Sequence, residues 1–212
     1  MSELPAALFL SLRVAVFATL IATLVAVPVA FAAARRRGAW LATVETLVTL
    51  PVVLPPTVVG FGLLLLLGKH GPVDWMLGHS LLFTETAAVI AAATVAAPLV
   101  YLPAKAAFAA IDADLETSAR LWGATTRTVF WHISLPLARR GVAAGVALGF
   151  ARALGEFGAT VMLVGISDDL RTLPIAIFLR VEHGELSDAV PAVLVLSAIS
   201  AVTVVLVGRI SR

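Results

Sequence analysis

Apolar residues run along this chain in long unbroken stretches, without the strict alternation expected of a lipid-facing strand. Five stretches are long enough to cross a bilayer at roughly 20 residues per helix: 6–34, 46–68, 86–104, 141–167 and 189–208. The first carries one charge, Arg13, the fourth carries Arg152 and Glu156, and the other three carry none. A sixth apolar run, Leu173 to Leu179, is too short to span and is bracketed by Arg171 and Arg180, which predicts a short interfacial or re-entrant helix on the outside. Lipid offers no partner to open backbone, so continuous apolar runs predict helices. The expected fold class is an all-α membrane protein with five transmembrane helices, residues 1–212 forming a single transmembrane domain.

Composition agrees with the pattern. Of 212 residues, 60% are hydrophobic and only 13% charged, with a mean hydropathy of +1.03, which excludes an ordinary soluble globule and a disordered chain. Five spans and their connections are expected to leave no room for a further soluble domain. Cysteine is absent, so disulfides and thiolate chemistry are excluded. The net charge of +2 is less informative than its distribution. With the N-terminus outside, Arg35, Arg36, Arg37, Lys105, Arg120, Arg127, Arg139, Arg140, Arg209 and Arg212 all fall inside, and only Lys69, Arg171 and Arg180 fall outside. The positive-inside bias therefore predicts an external N-terminus, an internal C-terminus and one large cytoplasmic loop over 105–140. The positive cluster follows the first apolar run, so that run does not read as a signal peptide. Nucleic acid is not an expected partner; membrane lipid is.

The cytoplasmic loop contains IDADLETSARLWGATTRTVFWHISLPLARRG, residues 111–141. Asp112 or Asp114 can cap a short helix, with Glu116 in its first turn, and Gly123 can end it in a left-handed turn. Thr125 or Thr126 can cap a second helix, which Pro136 is expected to stop. Trp122, Phe130 and Trp131 are residue types that anchor either a protein interface or a helix resting on headgroups.

This loop resembles the signature loop of ABC-importer permeases, E-A-A-x3-G-x9-I-x-L-P. Thr117, Ser118 and Ala119, then Gly123, Ile133, Leu135 and Pro136, reproduce its spacing without a gap, with Thr117 where the family has Glu and Glu116 just before it. LPVVLPPTVVGFGLLLLLGKHG (50–71), ARALGEFGATVMLVG (151–165) and RTLPIAIF (171–178) narrow the likeness to type I permeases for molybdate, tungstate and sulfate, most of all the molybdate group. The resemblance implies a prokaryotic cell-membrane protein that is not itself an enzyme. It implies two copies of this chain, two ABC ATPase subunits that hold ATP and Mg, and an external oxyanion-binding protein. The segment from Thr117 to Pro136, with Trp122, would dock into the ATPase, and the ion would pass inward by alternating access. The alternatives are a tungstate permease, a sulfate or thiosulfate permease in which two different permease chains pair, or a membrane-integral enzyme or scaffold whose loop rests on lipid.

Within the spans, Gly141, Gly145, Gly149, Arg152 and Glu156 fall on one helical face, a small-residue stripe followed by two charges. A charge at mid-membrane costs roughly 2.5–3.5 kcal/mol on insertion scales, so this face should look into protein or water. Arg152, with Arg13, can attract an anion, or Arg152 and Glu156 can neutralise each other as a packing pair. Arg13 can also reach back toward the outer surface. Pro51, Pro55 and Pro56 break or delay the second span, beside a passage or as a packed kink. Gly155, Gly158, Ala159 and Thr160 are candidate gate lining. Gly62, Gly68, Lys69 and His70 depart from the phosphate-loop spacing. The four histidines are scattered, no carboxylates pair within a span, and neither a metal site nor acid–base catalysis is expected.

Overall fold

The computed structural model describes residues 3–36, 38–167 and 170–210, and every regular element among them is helical. Arg37 and Arg212, used for orientation above, lie outside the described residues. Five helical stretches are long and apolar enough to cross a membrane: Leu4–Arg35, Pro56–Leu77, Glu85–Ala109, Thr126–Leu154 and Leu186–Arg209.

Helix α5 (Glu85–Ala109) is the centre of the bundle, with α1 (Glu3–Arg35) and α8 (Leu135–Leu154) packed along it. Alanine makes this possible. Ala91, Ala92, Ala96 and Ala104 of α5 are fully buried, as are Ala15, Ala18, Ala26 and Ala30 of α1. Membrane helices gain nothing by hiding apolar surface from lipid, so they associate through close backbone approach, which small side chains permit. Gly141, Gly145 and Gly149 do the same for α8. A Cβ at Gly145 would lie 2.8 Å from the Val100 carbonyl oxygen, one at Gly149 2.6 Å from Val100 Cγ2, and one at Gly141 against Ala107.

Two expected spans are built differently. The second, 46–68, is two helices, α2 (Ala39–Val53) and α3 (Pro56–Leu67). Pro51 sits inside α2 without ending it, whereas Pro55 and Pro56 together do. A residue before proline is pushed out of the helical region, and Leu54 is extended at φ −75, ψ 141. A turn then leads through α4 (Pro72–Leu77) to Thr84, whose Oγ1 accepts the Ala87 amide at 3.2 Å and caps α5. The fourth span, expected over 141–167, begins upstream and ends early: α8 stops at Leu154, and α9 (Gly158–Val164) follows after a three-residue break.

The short run expected outside forms α10 (Leu173–Glu182), which packs against α1 and α11. Leu173, Ile175, Ala176 and Leu179 are buried, and the Leu173 amide donates to Ser11 Oγ of α1 at 2.7 Å. The last helix, α11 (Leu186–Ile210), packs on α8 and α10 and leaves Leu194, Val202 and Val204 exposed.

Candidate functional site

The 111–141 segment folds as an elbow whose first arm is α6 (Ala113–Leu121). Asp112 starts this helix, its Oδ1 accepting the Asp114 amide at 2.9 Å. Gly123 ends it at φ 87, with the Ala124 amide bonded to the Ala119 carbonyl and the Gly123 amide to that of Arg120, each at 3.0 Å. That double closure requires a left-handed residue, which glycine adopts without a Cβ clash. The turn thrusts two large apolar side chains outward, Leu121 at 83% and Trp122 at 92% exposure. Thr117 and Ser118 are exposed, Ala119 is half-buried, and the Thr117 hydroxyl is spent locally on the Ala113 carbonyl at 2.9 Å.

The second arm corrects the expectation for Pro136. Thr125 caps α7 (Thr126–Val129), whose chain continues through a π-turn at Phe130–Ser134 directly into α8. Pro136 lies in the first turn of α8 and does not stop the helix. The wider turn, with the Leu135 amide reaching back to the Phe130 carbonyl, accommodates the ring that a regular α-helix would exclude. The elbow is therefore a rigid extension of a membrane helix. Ile133 and Leu135 are half-buried on this arm, and Pro136 is exposed.

Glu116, read from sequence only as a first-turn charge, is the buried pivot of the elbow. It is 2% exposed. Arg35, at the end of α1, places Nε and Nη2 each 2.9 Å from its Oε1. Ser134 Oγ donates to the same oxygen at 2.7 Å, and Arg120 Nη2 stands 3.5 Å from Oε2. Arg35 also donates to the Ile111 carbonyl at 3.3 Å. One carboxylate thus ties α1, α6 and the π-turn together. Behind it, Phe31 meets Phe108 and Phe130 edge to face, its centroid 5.4 Å from the first and 5.1 Å from the second. Phe130 hence faces the bundle, and only Trp122 and Trp131 of the three loop aromatics are presented outward.

The intramembrane charges are paired. Arg152 Nη2 is 2.7 Å from Glu156 Oε2, and the buried Glu156 accepts the Ala159 amide at 2.7 Å through Oε1, bridging the break between α8 and α9. Arg13 donates through Nε to Glu85 at the start of α5 at 2.6 Å. Of the candidate gate residues, Gly155 is exposed and Gly158 half-buried, but Ala159 and Thr160 are buried. Helices α3 and α9 cross here at backbone distance: a Cβ on Gly60 would lie 2.8 Å from Ala159 Cα, and one on Gly158 3.0 Å from Pro56 Cβ. Ala159 therefore packs against α3. Among the described residues, no three His, Asp or Glu side chains gather where a metal could be held.

The arrangement is a bundle with two broken helices and a rigid elbow offering apolar side chains at one end. Residues 26–212 match the model of the family described as "binding-protein-dependent transport system inner membrane component". The chain belongs to that family. This inner membrane component is 46% identical over 160 residues to the Bacillus subtilis protein YvgM, covering 69% of this chain and 70% of that one. It is 40% identical over 178 residues to the molybdenum transport system permease protein ModB of Haemophilus influenzae, covering 81% and 77%. Its fold is shared with an amino acid ABC transporter solved with histidines, at a TM-score of 0.68 and 17% identity over 100% of this chain and 94% of that one. The inner membrane component is a multi-pass membrane protein with the fold of type I ABC importer permeases.

Proposed function

We propose that this chain is the permease subunit of an ATP-driven importer whose cargo is a tetrahedral oxyanion, molybdate first. The oxyanion reading rests on the molybdenum transport permease named among its relatives. The coupling reading rests on one observation, the Glu116-centred elbow with Leu121 and Trp122 exposed at its tip. Exposed aromatic and aliphatic anchors on a rigid support are what a protein interface needs. The positive-inside rule puts the elbow in the cytoplasm. Two copies of the chain, two ATPase subunits and an external binding protein complete the transporter. ATP and Mg belong to the ATPases, and the permease moves the ion without chemistry of its own. Closure of the ATPases pushes the elbow, and because α7, the π-turn and α8 are one continuous helix, the push reaches the α8–α9 break as a rigid-body tilt.

Arg152 and Glu156 serve packing in this reading. An arginine neutralised by its own neighbour is a poor lure for an anion, and intramembrane ions commonly pair for packing. Replacing both with Leu is expected to leave uptake within about threefold of wild type, whereas Glu156→Ala alone, which strands Arg152, lowers the amount of folded protein further than the double change. Uptake lost in the well-folded double variant would reassign the pair to the pathway.

The docking role is tested at the tip. Trp122→Ala is expected to abolish or strongly weaken capture of the ATPase by tagged permease from detergent extracts. Gly123→Val, which needs a positive φ that β-branched residues avoid, is expected to abolish molybdate uptake. Undiminished ATPase capture by Trp122→Ala, together with normal uptake by Gly123→Val, sinks the proposal.

A further inference from the structure

Helix α2 leaves a cleft open against α1 and α5, and none of its own residues is buried. Two cavities follow one another along this cleft, between the same three helices. The first, about 300 Å³, is walled by Ile21 and Val25 of α1, Leu47 and Val48 of α2, and Ile90 and Ala97 of α5. The second, about 450 Å³, lies toward the elbow and holds Arg35, Arg36 and Lys105 against a single acid, Glu45. An apolar floor thus opens onto a mouth with three cations, of which Arg35 is paired with Glu116 and Lys105 with Glu45, leaving the positive charge of Arg36 in excess.

We infer that this cleft binds one anionic phospholipid, its phosphate at the Arg35–Arg36–Lys105 mouth and an acyl chain along the apolar floor. Spacing supports this. From Val25 to Ala33 on α1, and from Ala97 to Lys105 on α5, the step is eight residues, a rise of about 12 Å. A lipid headgroup stands about that far from the middle of its own leaflet's chain. The cations also have capacity to spare. Arg35 is bonded to Glu116 and Lys105 to Glu45, yet a guanidinium has five N–H donors and an ammonium three. Arg36 is exposed at the mouth. A free phosphate would leave the apolar floor empty, and a helix from a second copy would bury the uncompensated charge, which is costly. Basic pockets between membrane helices on the cytoplasmic side suit anionic headgroups for the same reason.

The full chain in mild detergent is titrated with phosphatidylglycerol and, separately, with phosphatidylcholine of the same chains, thermal unfolding being followed and bound lipid counted by native mass spectrometry. Phosphatidylglycerol is expected to raise the melting temperature and remain as one bound molecule, and phosphatidylcholine to do neither. Arg36→Gln, at an exposed position, is expected to weaken the phosphatidylglycerol midpoint about fivefold. Ala97→Phe, which fills the floor, is expected to abolish the effect. Equal responses to the two lipids, an unshifted midpoint in Arg36→Gln, or the same stabilisation from glycerol 3-phosphate without chains overturns the inference.

Discussion

Glu116→Ala is expected to destabilise the protein by ~3–5 kcal/mol and to uncouple ATP hydrolysis from uptake. The carboxylate is almost wholly buried and accepts from Arg35 and Ser134 on one oxygen, with Arg120 near the other. Removing it strands the guanidinium of Arg35, itself only 15% exposed, and a buried hydroxyl, and breaking one side of a buried pair costs about that much. Unfolding in detergent reads the loss. The functional readout is separate. Leu121 and Trp122 remain at the tip, so the ATPase should still be captured, but α6 is no longer anchored to α1 and the π-turn, and its motion is dissipated locally. Binding-protein-stimulated ATP hydrolysis with little uptake is the expected signature. The double change Arg35→Leu with Glu116→Leu should recover most of the stability, because an apolar pair carries no desolvation penalty, without restoring coupling. Full coupling in Glu116→Ala would remove the pivot from the mechanism.

Gly145→Ala is expected to destabilise the bundle by ~1–3 kcal/mol, an unusual cost for a single methyl group. Its Cβ would sit 2.8 Å from the carbonyl oxygen and 3.3 Å from the Cα of Val100, both backbone atoms of the central helix. Backbone there cannot yield locally, because α5 is also packed on α1 along most of its length. The two helices must separate, which loses the close contact that holds them in lipid. Gly62→Ala is the matched control: a Cβ there meets nothing within 4 Å, and the gain in helix propensity predicts stabilisation of about 0.5–1 kcal/mol. Thermal unfolding of the two variants in one detergent makes the comparison, and equal melting temperatures would show that the α5–α8 crossing is looser than described.

Pairs close in sequence were legible without coordinates. The Arg152–Glu156 bridge follows from a four-residue step on a helix, and the Gly123 turn from a glycine after an amphipathic run. Glu116 was not, because its partner Arg35 is 81 residues away and nothing local marks one acid of the DADLE segment as buried. The pairs Arg13–Glu85 and Lys105–Glu45 escaped for the same reason, their members being 72 and 60 residues apart.

The one-dimensional pattern by itself determined the solvent, the helical class and the five crossings, because each depends on runs of side chains against a hydrocarbon slab of known thickness. It also determined the elbow's spacing, which is a matter of counting. Only the tertiary structure decided where the fourth span breaks, that Pro136 is carried through a π-turn, and that Ala159 is packed under α3. Those outcomes turn on whether a neighbouring helix can accept a freed backbone group or an approaching Cα, and that depends on distances between residues far apart along the chain.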